Sequence, residues 1–358
     1  MLSAIGANEL QSMPAASSSE MTPTSAEKVR RQDLDRAKGL AILLVVFGHI
    51  VAREPPGNNE WFMLLHEAVY QFHMPFFMYL SGYVTFLSGA ASTEPRAWPR
   101  LLAKRAARLL LPFFLFGLVI VVGKFVAAKV VYVDNLPGSI TEAMFGLLWD
   151  TDRSPATSVW YIAVLFAFCV MTPPLIWLDR GKLYAVLSIA AVLYLLPVPH
   201  VMYSNRIASY FIFFALGLLA AKKGEYWLRI VDSVSVVALI NLVIVLWAVL
   251  SWKQALPDSF WLLVCGVISM PALHGLVRRR PLSDSDMLIR LGALSFVIYL
   301  LNTVFIGLAK GLLLKVMPWD GANFFVFAPI LMVAGLFGPI VAKRLLFSHV
   351  RVLDRMTD

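Results

Sequence analysis

Ten stretches of this sequence are apolar for long enough to cross a bilayer, or nearly so, and that leaves few folds open. A hydrocarbon core is about 30 Å thick, which asks for roughly 20 apolar residues per spanning helix. The stretches cover approximately residues 38–53, 70–89, 109–129, 159–178, 183–199, 206–221, 233–252, 258–275, 291–313 and 323–345. They do not alternate polar and apolar residues as the strands of a membrane barrel do, so helices are the reading. The expected fold class is an all-α polytopic membrane protein of about ten transmembrane helices. Composition agrees: 59% of the 358 residues are hydrophobic and 15% are charged, whereas a soluble domain carries about a quarter charged residues.

The net charge of +9 does not by itself point to nucleic acid. If the N-terminus is cytoplasmic, alternating the ten helices places 23 of the 31 lysines and arginines on the cytoplasmic side. That bias is the one that orients membrane proteins, and it predicts that both termini are cytoplasmic. The first 26 residues are small and polar and hold no lysine or arginine. They lack the basic start and apolar core of a signal peptide. Residues 1–30 are therefore expected to form a disordered cytoplasmic tail, 31–349 a ten-helix membrane domain, and 350–358 a short cytoplasmic tail. Cys169 and Cys265 both sit inside apolar runs, where cysteine behaves as a small packing residue. No metal-ligand spacing is visible.

Ionisable groups inside a membrane are costly and mark function by default. The first stretch, DRAKGLAILLVVFGH, offers Asp35, Lys38 and His49. At 100° per residue, Lys38 and His49 differ by roughly 20° around the helix, and Asp35 and His49 by roughly 40°, so all three share one stripe. Their heights differ. Lys38 and His49 are about 16 Å apart along the axis and Asp35 and His49 about 21 Å, which excludes an Asp35–His49 hydrogen bond. Asp35 is within reach of Lys38 at i,i+3 or of an arginine on another helix.

Three further segments carry polar groups. In QFHMPFFMYLSGYV, His73 precedes Pro75 at the start of the second helix. The second helix runs opposite to the first, so His73 can lie at the depth of His49. Ser81 and Gly82 in the same segment suit close helix packing. In RLLAKRAARLLLPFF, Arg105 and Arg108 are i,i+3 neighbours near a helix start. They read either as plain positive-inside flanking or as an anion site, since guanidinium groups and helix N-termini both favour phosphate. Trp160 and Tyr161 open the fourth helix, as an aromatic belt or as a surface on which a sugar stacks. Residues 130–158 form the one long connection, with Asp134, Glu142, Asp150, Asp152 and Arg153, and suggest a lid on the outer side.

Taken together, DRAKGLAILLVVFGH, FHMPFFMYLSGYV, KRAARLLLPFF, SVWYIAVLF and RLGALSFVIYLLNTVF resemble, in order, the motifs of the membrane acyltransferase-three family. That family contains the O-acyltransferases that modify sugars of bacterial surface polysaccharides and related glycans, and the chain looks most like its fucose-O-acetylase and exopolysaccharide-acetylase subgroup. The resemblance covers the chain after residue 30. Two departures stand out: Lys38 replaces an arginine common in the family, and Asn302 a common histidine, so Asn302 receives no acid–base role.

The resemblance implies a multi-pass protein of the bacterial plasma (inner) membrane. It also implies an acyl-CoA donor, usually acetyl-CoA, used as a substrate with no bound cofactor, and a polysaccharide or lipid-linked oligosaccharide acceptor. Nucleic acid is not an expected partner, and no metal site is expected. The candidate catalytic residues are His49, as general base or acyl relay, and His73. Asp35, Lys38, Arg105 and Arg108 are candidates for the acyl-CoA side, and Trp160 and Tyr161 for the acceptor side. Two other classes stay open. A transporter or flippase of a glycan or lipid-linked sugar would use the buried His and Lys as a path, and a catalytically dead sensor would need no coenzyme A.

Overall fold

The structure is a computed structural model that describes residues 25–51, 55–130, 133, 136–151, 154–252 and 255–357, with the backbone alone at 25–31, 351, 352 and 355. Among these residues every extended regular element is a helix. The helices are α1 (Ser25–His49), α2 (Glu60–Tyr70), α3 (His73–Leu87), α4 (Trp98–Ala127), α5 (Ile140–Leu148), α6 (Trp160–Leu178), α7 (Tyr184–Leu195), α8 (Ser204–Lys223), α9 (Glu225–Trp252), α10 (Asp258–Leu276), α11 (Asp286–Ala293), α12 (Ser295–Leu313), α13 (Phe324–Leu345) and α14 (Arg351–Thr357). The only pairing of extended backbone among the described residues is two isolated bridges, Gly57 with Asp320 and Asp150 with Val201.

Among the described residues, seven segments are long and apolar enough to cross a membrane: those built on α4, α6, α8, α9, α10, α12 and α13. The other three expected spans fall on helices that are shorter or more charged. Residues 70–89 fall on the 15-residue α3, and 183–199 on the 12-residue α7. Residues 38–53 fall on the second half of α1, whose first half is charged. The long connection is not a plain loop. It contains α5, whose start is capped by Ser139 Oγ accepting from the Glu142 N–H at 3.1 Å, and whose Leu147 is fully buried. Asp134, Asp152 and Arg153 lie outside the described residues. Of the expected tail, residues 1–24 lie outside as well, and α1 already begins at Ser25.

Glycines let the helices approach closely. An added Cβ on Gly82 of α3 would collide with the Phe214 carbonyl of α8, and one on Gly217 of α8 with the Tyr79 carbonyl of α3. The same reciprocity joins α1 to α11. Gly39 lies against the Leu288 backbone, and Gly292 against that of Asp35. Small residues that let backbones touch are how helices pack where no hydrophobic effect drives them together. Cys169 and Cys265 are buried free thiols in this core.

At the N-terminal end of α1 the chain is clamped by charge. Asp33 pairs with Arg278, which also holds Asp232 by two hydrogen bonds of 2.7 and 2.8 Å. The opposite end of the bundle is hollow.

Candidate functional site

That hollow is a chamber of about 1250 Å³. Its walls are the last turns of α1, α4 and α12 and the first turns of α3, α6 and α8. Helix direction alone therefore places it at the end of the bundle opposite Lys38. His49, His73 and Trp160 all line it.

His49 is half-buried, and its Nδ1 lies 2.5 Å from Asn302 Oδ1 on α12. Asn302 is fully buried and spends its two amide hydrogens on backbone carbonyls, donating to Ile298 at 2.9 Å and Tyr299 at 2.8 Å. Only its oxygen is left to face the imidazole, and an amide oxygen only accepts. His49 must therefore carry its proton on Nδ1, and Nε2 holds the lone pair. The same logic applies to His73, whose Nδ1 donates to the Val69 carbonyl at 2.9 Å. The chamber is thus lined by two imidazoles of the same tautomer.

The carbonyl of Gly48, next to His49, is held from α2. His66 Nε2 donates to it at 2.9 Å and the Tyr70 hydroxyl at 3.1 Å. Gly48 leaves room for the Tyr70 ring, because a Cβ there would lie 2.9 Å from it and the ring would have to shift. Burial holds the His66 imidazole below its ordinary value of 6.5, against the opposing pull of the Gly48 and Val51 carbonyls. The neutral form that donates one proton to Gly48 is the one this site favours.

Also lining the chamber, the Arg206 guanidinium lies 4.7 Å above the Trp160 ring. Tyr210 meets the same ring at 5.0 Å. Trp160, Arg206, Tyr210, Asn205 and Ser209 together give the chamber an aromatic and hydrogen-bonding patch.

The other expected residues lie elsewhere. Tyr161 turns into the core, where its hydroxyl and Ser81 Oγ are 2.6 Å apart and its ring meets Phe77 and Tyr299. Asp35 and Lys38 pair with each other at 2.8 Å near the opposite end of α1. Arg105 lines a small crevice with Thr85, Cys169 and Thr172, and Arg108 lies one turn further along α4 on an exposed face. The structure thus brings His49, His73 and Trp160 to one chamber and keeps Asp35, Lys38, Arg105 and Arg108, the residues expected on the acyl-CoA side, apart from them. Among the described residues no group of three His, Cys, Asp or Glu side chains gathers as metal ligands would.

Asn302, Arg206, Tyr210 and the His66–Tyr70 clasp were not anticipated as site residues. Asn302 did leave a signal, because it stands where the similar motif carries another polar, imidazole-bearing residue.

Comparison with known proteins adds the following. A family model described as an acyltransferase domain matches residues 31–344. The nodulation protein NolL of Sinorhizobium fredii is 29% identical over 199 residues, which are 53% of this chain and 49% of that protein. The NolL protein of Mesorhizobium japonicum is 35% identical over 85 residues, 23% of this chain and 22% of that protein. The matched regions thus span half or less of these relatives. No solved structure matches the chain.

Proposed function

The chain belongs to the acyltransferase-three family and is a multi-pass membrane protein, and from that premise we propose that it moves an acyl group, acetyl in the first instance, from acyl-CoA to a carbohydrate hydroxyl. The observation that carries this reading is His49: an imidazole on the chamber wall, with Nδ1 tied to Asn302 and the basic Nε2 left for chemistry. An O-acyl transfer needs such a base and a site that stabilises the oxyanion.

In the proposed reaction, Nε2 of His49 removes the proton of the acceptor hydroxyl. The oxygen attacks the thioester carbonyl and a C–O bond forms. The tetrahedral oxyanion collapses, the C–S bond breaks, and the thiolate of coenzyme A leaves and takes up the proton from His49. Asn302 holds the ring throughout, and its neutral amide keeps its donors on the helix backbone. His73 is the second imidazole within the same chamber, placed to assist that proton's passage. The Trp160 and Arg206 patch suits a sugar, which packs its apolar face on an aromatic ring and its hydroxyls on polar groups.

Donor and acceptor arrive from opposite ends. Lys38, paired with Asp35, and Arg105 and Arg108 lie towards the end where a cytoplasmic donor enters, about 16 Å along α1 from His49. The extended arm of coenzyme A is the part that bridges such a gap. This reading uses ten spans, with α1, α3 and α7 crossing alongside the seven longer segments. Both termini are then cytoplasmic and the membrane is the bacterial inner one.

The test is covalent chemistry. Purified protein in vesicles, given acetyl-CoA and a glycan acceptor, is expected to release free coenzyme A. His49→Ala should reduce that release by about 10²–10⁴-fold, the usual worth of a positioned acid–base group. Normal release by that variant, correctly inserted, sinks the assignment. Substrate movement across the vesicle with no release of coenzyme A points to a transporter instead.

A further inference from the structure

The proposed reaction needs a hydrogen-bond donor for the oxygen of the thioester carbonyl, and Asn302 does not supply one, because both its N–H groups are held by its own helix. A hydroxyl group has one proton to give. Four hydroxyls on the chamber wall have already given theirs. Tyr70 donates to the Gly48 carbonyl at 3.1 Å and Thr157 to the Ser154 carbonyl at 3.0 Å. Tyr299 donates to the Ser158 carbonyl, and Thr303 to Ser158 Oγ at 3.2 Å. Ser209 and Tyr210 belong with Trp160 and Arg206 in the patch given to the sugar. Ser158 is left. Its oxygen accepts from Thr303, so its proton is not spent on that contact, and among the described residues it donates to none.

Ser158 is fixed by the same turn of α12 that fixes the base. Tyr299 holds its carbonyl and Thr303 its hydroxyl oxygen, while Asn302 holds His49 Nδ1 at 2.5 Å. These three residues are spaced i, i+3 and i+4, so they share one face of the helix. Asn302 and Thr303 are consecutive, with Cα atoms about 3.8 Å apart. The imidazole and the serine hydroxyl are therefore each one hydrogen bond from adjacent residues of a single turn, and both line the chamber. Tyr299 is itself braced, since its hydroxyl also accepts from the Tyr161 N–H at 3.1 Å. Two residues after Ser158, α6 begins at Trp160. The partial positive charge of that helix end adds to the preference for negative charge beside the hydroxyl.

We propose that Ser158 is a further catalytic residue, the donor that stabilises the oxyanion of the acyl transfer, and that Thr303 positions it. This rests on the acyltransferase reading and adds a second residue in contact with the reacting atoms. When the acceptor oxygen attacks, the π pair of the thioester C=O moves onto the carbonyl oxygen, and the Ser158 O–H meets it there. When the C–S bond breaks, that pair returns and re-forms the carbonyl of the new ester. The serine keeps its proton throughout and forms no bond to carbon. A donor held in place before the charge develops needs no reorganisation at the moment of reaction, which is what makes such a contact effective.

Two coenzyme A analogues test this without any acceptor. S-acetonyl-CoA carries a plain ketone in place of the thioester carbonyl, and its trifluoroacetonyl counterpart carries a ketone that hydrates to a tetrahedral carbon like that of the intermediate. Their affinities for the full chain in lipid nanodiscs are measured by calorimetry. The wild type is expected to bind the trifluoro analogue more tightly. Ser158→Ala should lower that preference by at least about tenfold, part of the 10²–10³ that one oxyanion donor is worth in kcat, and leave the affinity for S-acetonyl-CoA unchanged. Ser158→Thr keeps a hydroxyl and should keep most of the preference. Thr303→Val keeps the serine without its pin and should fall between the wild type and Ser158→Ala; a full preference in that variant removes the role given to Thr303. Equal binding of the two analogues by the wild type, an unchanged preference in Ser158→Ala, or equal loss in Ser158→Ala and Ser158→Thr overturns the proposal. An acetyl group found on Ser158 by mass spectrometry after incubation with acetyl-CoA overturns it too, because the serine would then be a nucleophile. If the wild type binds neither analogue, it is the acyl-CoA reading that fails, and the assignment of Ser158 fails with it.

Discussion

At His49 two ring nitrogens compete for one proton, and the group beside Nδ1 chooses between them. Asn302 does so through a chain of forced hydrogen bonds: both its N–H groups go to carbonyls of its own helix, so its oxygen takes the histidine proton. If this is what Asn302 does, the effects of replacing it are specific. Asn302→Leu should lower kcat by at least about tenfold, part of the worth of a well-placed base, while KM for acyl-CoA stays unchanged. Asn302→Asp still accepts from Nδ1 and should recover most of the rate. Its added charge beside the imidazole should also move the pH profile towards higher pH, because it favours the imidazolium. A residue needed only for folding would show none of this split; equal loss in both variants would remove Asn302 from the mechanism. The residue scale is also where sequence reading reached furthest and stopped. The spacing of Asp35, Lys38 and His49 on one stripe, and the impossibility of an Asp35–His49 contact, follow from helix geometry alone. The partner that His49 does have is 253 positions away, and no local pattern points to it.

Between elements, two motifs that look unrelated in the sequence prove to be one contact. DRAKGLAILLVVFGH forms the C-terminal part of α1, and RLGALSFVIYLLNTVF forms the end of α11 and the start of α12. They meet at one end through Gly39 on Leu288 and Gly292 on Asp35, and at the other through His49 and Asn302. The glycines bring α1 and α11 into backbone contact at one end, and His49 and Asn302 join α1 to α12 at the other. Gly39→Ala and Gly292→Ala each place a methyl group against a backbone carbonyl, an overpacking that costs about 1–3 kcal/mol. A lower thermal unfolding midpoint in detergent is the expected outcome, with kcat falling more than KM rises as α1 and α12 separate. Unchanged stability in both variants would mean that α1 and α11 are not so closely packed. A glycine in an apolar run advertises close packing, as Gly82 did. Its partner is decided by the three-dimensional arrangement.

For the molecule as a whole, the distribution of charge and the position of the chamber make a joint statement about sidedness. The buried native thiols provide a quiet background for cysteine labelling. With both termini cytoplasmic, a cysteine at Ser92 should react from the cytoplasmic side and one at Ser139 only from the other. The reverse, or labelling of both from one side, would break the ten-span arrangement. The donor end makes its own prediction. Arg105→Ala and Arg108→Ala are expected to raise KM for acyl-CoA with little change in kcat, and an unchanged KM would leave these arginines as topological charges only. Their distance from the chamber is what makes that split informative, since neither lies near the proposed base.

By itself the sequence determined that this chain is helical and membrane-spanning, because long apolar runs admit no other soluble or barrel-like solution. It determined too that a histidine stands alone near the end of the first run, three turns from a charged pair. Periodicity and composition are properties of neighbours along the chain, so they can be read there. Only the tertiary structure decided that Trp160 faces a chamber while Tyr161 is buried beside Ser81, that His49 answers to Asn302, and that the last turns of α4 and α12 line the same chamber. Each of these depends on how distant helices pack, and packing is settled by the shapes of surfaces that meet only when the whole chain has folded.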